Sequence, residues 1–187
     1  HEAKKTEKVI NLLGNFTLEP LQESLQYCLR ESKQYYGVEF LPYNQLLQQL
    51  VDPNSEFHQS PADLNVLCLR VIDWIHYIKQ KDHENQEQYL ERLYAQLEKN
   101  THDFIDVYSR AAAESQVPNL VLLPPYQPHE QFSKLNEIIE QYTQEIYQAL
   151  SELPNTYLYT ADAITKPYPV KEIFNPQGEK LGHVPFT

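Results

Sequence analysis

The chain has 187 residues, 41% of them hydrophobic, which is enough for one buried core and too little for two. Fifteen Lys and Arg against 26 Asp and Glu leave a net charge of −11. That charge repels phosphate backbones and anionic lipid, so partners of the nucleic-acid and membrane classes are not expected.

No apolar run is long enough to span a bilayer and no signal-peptide core opens the chain, so a cytoplasmic location is expected. Cys28 and Cys68 form neither a disulfide framework nor a metal motif, and both sit in apolar patterns that predict buried free thiols. There is no Met, and the sequence stops on Phe186-Thr187, which suggests a piece of a longer chain. Residues 1–7 read as a polar tail, and 8–187 as one domain.

Lys8 to Gly14 is a short apolar run with β-branched members, a buried first strand. Thr17, Glu19 and Pro20 then give a hydroxyl cap, a first-turn acid and a tolerated proline. With Leu18, Leu21, Leu25, Cys28 and Leu29 at helical spacing, they predict a helix opened by Thr17. Val38 to Leu41 is a second strand. Leu46, Leu47, Leu50 and Val51 mark a short helix before Asp52-Pro53. Leu64 to Ile72 reads as a central parallel strand, interrupted only by Asn65 and Arg70. Leu90 to Tyr108 carries a long helical pattern, Asn119 to Leu123 a fourth strand, Phe132 to Leu150 another helix, and Thr156 to Thr160 a fifth strand. From Lys166 to the end, four prolines predict an irregular segment.

Strands alternating with helices require right-handed crossovers and a parallel sheet. The fold expected is a three-layer α/β domain with five strands in flavodoxin-like order 2-1-3-4-5. Ligands bind such sheets at the carboxyl ends of the strands, where the order reverses between the first and third. Asn15, Phe16 and Thr17 would lie there with Asp73 and Trp74, rimmed by Tyr43, Asn44, Tyr126 and Asp162.

No phosphate-cradling glycine motif occurs. Thr17 suits either a helix cap or a nucleophile, and Asp73 at the close of a strand is the stronger polar candidate. Trp74 would form a ligand wall or pack under a helix. His58, His76, His83, His102 and His129 lack metal-site spacing and read as solvated, and no metal centre is expected. His183, in Gly182-His183-Val184-Pro185, is a candidate general base. Glu84, Glu87, Glu91 and Glu98 read as a solvated helix face.

Four stretches resemble one family. They are Gly14-Asn15-Phe16-Thr17-Leu18-Glu19-Pro20, the run from Glu39 through Pro42-Tyr43-Asn44-Gln45 to Asp52-Pro53-Asn54-Ser55, the run from Asn65 through Arg70 to Asp73-Trp74, and Gly182-His183-Val184-Pro185-Phe186-Thr187. They are similar to the FkbH-like proteins and domains of polyketide and nonribosomal-peptide assembly lines. The resemblance spans nearly the whole chain, weakest from Glu84 to Ser115.

It implies an SGNH-hydrolase-like region that precedes a HAD-superfamily domain, expected after residue 187. Members of the family load a glyceryl unit onto carrier-protein phosphopantetheine. The aspartate motif of the HAD part is not in this sequence. The esterase pattern of SGNH hydrolases also departs: Asn15 falls at its Asp, Phe16 at its nucleophile with Thr17 one place late, Ile72 in its Asn slot, and Lys180 at its final Asp with Glu179 adjacent.

Three functions follow. In the first, a non-hydrolytic accessory domain of a megasynthase positions an acyl or peptidyl carrier protein, or its acyl-phosphopantetheine arm, for a neighbouring catalytic domain. This chain would then bind no cofactor of its own. Carrier proteins are acidic, and Arg70, Lys79 and Lys81 are the nearest basic residues to meet one. In the second, a divergent acyl-transferring or ester-hydrolysing enzyme uses Thr17 to attack and His183 as base, with Asp73 or Glu179 orienting it. The third is a structural docking module.

Overall fold

In the computed structural model, which describes residues 8–167 and 169–187, the first strand, β1, runs from Lys8–Gly14, its last five residues buried. The polar tail expected at 1–7 lies outside the described residues. After a 3-10 turn at Glu19–Leu21 come α1 (Gln22–Glu31), β2 (Tyr36–Phe40), α2 (Leu46–Val51), α3 (Glu56–Gln59) and β3 (Leu64–Cys68). A second 3-10 turn spans Val71–Ile75. It is followed by α4 (Gln86–Glu114), β4 (Asn119–Leu123), α5 (Ser133–Ser151), β5 (Thr156–Thr160), α6 (Ala161–Thr165) and α7 (Pro176–Gly182).

The five strands pair in parallel in the order β2-β1-β3-β4-β5, as the alternating pattern predicts. One face of the sheet buries Leu13, Leu67 and Val121 against Leu97, Phe104, Ile139 and Ile146 of α4 and α5. The other buries Ile10, Leu12 and Val66 with Phe16 and Leu18, packed by Leu25 and Leu29 of α1 and by Phe186. Asn85 opens α4 with a reciprocal cap, its side chain accepting from the Gln88 amide while the Gln88 side chain accepts from the Asn85 amide.

Three local expectations are corrected. Thr17 is not a helix cap: its hydroxyl donates to the Gly182 carbonyl (2.6 Å) and its amide to the His183 carbonyl (3.0 Å), so a distant segment takes the groups a cap would use. The central strand ends at Cys68 rather than Ile72, which puts Asp73 in a 3-10 turn instead of at a strand end. The cause is Asn15, whose side chain accepts from the Arg70 amide (3.0 Å) and donates to the Arg70 carbonyl (2.8 Å), replacing a strand neighbour. Cys28 is exposed, because α1 covers the sheet with Leu25 and Leu29 only; Cys68 is buried as expected.

The segment after Lys166 holds more order than its prolines suggest. Pro176 begins α7, and the Asn175 side chain accepts from the Gly178 amide (2.9 Å). Only glycine fits at 178, where a Cβ would stand 2.7 Å from the Val184 carbonyl oxygen. Phe174 and Phe186 form an antiparallel bridge. Together these contacts bring the end of the chain back over the carboxyl ends of β1 and β3.

Candidate functional site

The side chains that converge at this end of the sheet come from loops after three strands and from α7. Arg70 and Asp73 follow β3, and Tyr43 follows β2 in a loop where Asn44 takes a left-handed φ of 54°. His183 closes α7 at φ 53°, a conformation that costs a non-glycine residue energy and aims its ring inward.

Arg70 is the electrostatic centre. Its Nε donates to Asp73 Oδ2 (2.8 Å) and its Nη2 to Asp73 Oδ1 (2.6 Å) and to Glu179 Oε1 and Oε2 (2.9 and 3.1 Å). The guanidinium also lies 5.1 Å from the Phe16 ring centre and 5.5 Å from that of Phe186. Burial works against its charge, but hydrogen bonds and charge from Asp73, then Glu179, outweigh it, so Arg70 holds its proton above the ordinary range.

His183 is 3% exposed, with both ring nitrogens engaged. Nε2 lies 3.0 Å from Asp73 Oδ1, and because a carboxylate only accepts, Nε2 carries the proton. Nδ1 then accepts a hydrogen bond from the Tyr43 hydroxyl at 2.6 Å, while the Tyr77 hydroxyl donates to Tyr43 at 2.7 Å. Burial, then Tyr77, raises the Tyr43 phenol above its ordinary value. The ring of His76 stacks on His183, centres 4.0 Å apart, and its Nδ1 lies 3.5 Å from Glu179 Oε1. Burial, then the neighbouring His183, pushes His76 below the usual histidine value.

Of the residues expected to act, Asp73, Glu179 and His183 come together. Thr17 faces the Gly182 carbonyl, with no hydrogen bond to the His183 ring. The cleft expected from topology is divided. Asn15, Asn44, Asp73 and Trp74 line a hollow of about 210 Å³ with Tyr77. Phe16 is buried in the core, and Tyr126 and Asp162 line a separate hollow of about 720 Å³. Trp74 both walls the first hollow and packs 6.1 Å from Phe104.

A third cavity, of about 420 Å³, is floored by Arg70, Asp73, His76 and Glu179 and walled by Gln127, Gln131, Phe174, Asn175 and Pro185. Sequence reasoning read His76 as solvated, and it is exposed, but neither its stack on His183 nor the place of Tyr77 at the site was anticipated. It also offered Arg70 as a surface charge, whereas Arg70 is buried and paired. Asp73 and His76 are three apart and Glu179 and His183 four apart, spacings that put each pair on one face of its own helical turn. Glu84 is not on a helix face either: it precedes α4 and accepts from Arg92.

Fold and site together define an open, doubly wound α/β domain with a buried His–Asp pair at its topological switch point. No protein-family model and no curated protein matches the sequence. Among solved structures the chain is similar to the N-terminal part of the protein BF1531 from Bacteroides fragilis, which contains a phosphatase domain and is complexed with Mg. The TM-score is 0.71 at 14% identity, over 97% of this chain and 47% of that one. At that identity the likeness is one of fold, and this chain spans about half the length of its neighbour.

Proposed function

We propose that this chain is a non-hydrolytic accessory domain of an FkbH-like unit, holding an acyl-phosphopantetheine arm of a carrier protein near a neighbouring catalytic domain. The observation that carries the reading is the double occupancy of His183. With Nε2 on Asp73 and Nδ1 taken by Tyr43, the ring has no lone pair free to activate a hydroxyl, and Thr17 is turned to another partner.

The 420 Å³ cavity supports binding of the arm, since its lining offers both the amides of Gln127, Gln131 and Asn175 and the apolar Phe174 and Pro185 to a chain of amides and methyl groups. Lys79 and Lys81 remain exposed for an acidic carrier, while Arg70 does not. The likeness in fold to the N-terminal part of a phosphatase-containing protein agrees with a domain that works beside another.

The test mixes the chain with a carrier protein bearing an acyl-phosphopantetheine and follows both by intact-protein mass spectrometry, with Thr17→Ala and His183→Ala alongside. The expected result is a carrier that stays loaded and a saturable binding isotherm. Loss or transfer of the acyl group that depends on Thr17 and His183 overturns the proposal, and so does an absence of binding.

A further inference from the structure

We infer that Asp73, His76, Glu179 and His183 form a binding site for a transition-metal dication of the zinc type. One ligand atom from each lies within 4.8 Å of all the others. The closest separations are 3.0 Å from His183 Nε2 to Asp73 Oδ1, 3.6 Å from His183 Nε2 to Glu179 Oε1, and 3.5 Å from His76 Nδ1 to Glu179 Oε1. A tetrahedral ion with bonds of about 2.0–2.1 Å spaces its ligands by about 3.3 Å, close to these three edges, and the His76 ring, stacked at 15° on His183, turns out of the stack to bring its lone pair onto the same ion. Two imidazoles and two carboxylates form a donor set that favours zinc and its neighbours over magnesium, which takes oxygen ligands in octahedral geometry.

The surroundings suit such an ion. When Nε2 of His183 gives its lone pair to a metal, Nδ1 carries the proton and donates it to Tyr43, 2.6 Å away, as the outer partner of a metal-bound histidine. Arg70 keeps Asp73 Oδ2 at 2.8 Å and Glu179 Oε2 at 3.1 Å, the oxygens the ion does not take. The ion takes the place of Nη2 beside Oδ1 and Oε1, so the guanidinium swings back on its Nε bond to Asp73 Oδ2. The two carboxylates outweigh Arg70 by one charge, which favours a dication.

Access is open on one side: the His76 and Glu179 side chains are about a quarter exposed and border the 420 Å³ cavity, while those of Asp73 and His183 are buried. Local motifs gave no hint of this set, because its two halves lie more than a hundred residues apart. The cation site stands whether or not a carrier protein binds.

The test treats the full chain with a chelator, removes the chelator, and titrates with Zn2+ by calorimetry and with Co2+ by visible absorption. The expected result is one tight equivalent and the d–d bands of low-symmetry Co2+. X-ray absorption of the Zn2+ form should show two imidazoles and two oxygens. His76→Ala and Glu179→Gln, both at partly exposed side chains, should each weaken binding by at least about tenfold, whereas His102→Ala, at a surface histidine paired with Glu145, should not. Failure of the wild-type chain to take up Zn2+ overturns the inference. So does a first shell without imidazole, or a folded His76→Ala protein that binds as tightly as wild type.

Discussion

Asp73 Oδ1 lies 3.0 Å from His183 Nε2 across 110 residues of sequence, and the same oxygen accepts from Arg70 Nη2 at 2.6 Å. A loop after the central strand and the last turn of the chain are thus joined by a buried carboxylate shared between an imidazole and a guanidinium. Tyr43 is held by that junction through His183, and Glu179 through Arg70.

Removing Arg70 should be costly. In Arg70→Met the Asp73 carboxylate, with a side chain 1% exposed, keeps the His183 imidazole as its side-chain partner among the described residues and loses the guanidinium. Breaking a buried pair from one side costs about 3–5 kcal/mol, to be read from denaturant unfolding. Adding Asp73→Leu should recover part of that loss. A single-variant cost below about 1 kcal/mol would show that the pair does not hold the two segments together.

Asn11, Asn65 and Asn119 form a ladder across β1, β3 and β4, with Asn11 Nδ2 donating to Asn65 Oδ1 (3.2 Å) and Asn65 Nδ2 to Asn119 Oδ1 (3.0 Å). All three are buried, so Asn65→Leu leaves two neighbours without their bonds. The expected cost is about 2–4 kcal/mol in urea unfolding, at one to a few for each stranded group. Little change would mean that water fills in.

Glycine is required at position 14 and not at 37. A Cβ on Gly14 would stand 2.8 Å from the Cys68 carbonyl oxygen and 2.9 Å from Leu18 Cδ1, whereas one on Gly37 meets only the Lys8 carbonyl oxygen at 3.9 Å. Gly14→Ala should destabilise by about 1–3 kcal/mol, and Gly37→Ala should be neutral or slightly stabilising. Thermal melts of the two variants side by side give the comparison.

The two thiols should separate cleanly. Cys28 is exposed, while burial pushes the Cys68 thiol up to about 12. One equivalent of a thiol reagent should therefore react at neutral pH in the native state and a second only on denaturation. Cys28→Ser should abolish the native reaction.

Alkali should weaken the fold through Tyr108. Its side chain is fully buried, and burial raises its phenol to about 12, although a hydrogen bond with Thr156 opposes the shift. The unfolded chain releases this proton near 10 and the folded one holds it. The stabilisation is therefore complete below pH 10 and lost as pH rises toward 12, at about 1.4 kcal/mol per unit for this residue. Tyr108→Phe should flatten that slope in denaturant midpoints measured from pH 9 to 12.

The sequence by itself determined the order of strands and helices, the parallel sheet and the end of it that carries Asn15 and Asp73. Those follow from hydrophobic periodicity and the handedness of crossovers, which are local or topological properties. The short helix at Leu46–Val51 and the strands at Asn119–Leu123 and Thr156–Thr160 were legible for this reason.

Only the tertiary structure decided which polar residues meet. Thr17 reads as a cap, but Gly182 and His183 arrive from the far end of the chain and take its hydrogen bonds. Arg70 reads as an interruption or a surface charge, but it is buried between Asp73 and Glu179. His76 reads as solvated and is exposed, but only the fold shows that its ring stacks on His183. A buried polar group is settled by whichever partner the fold brings to it, and partners a hundred residues away leave no periodic trace in the sequence.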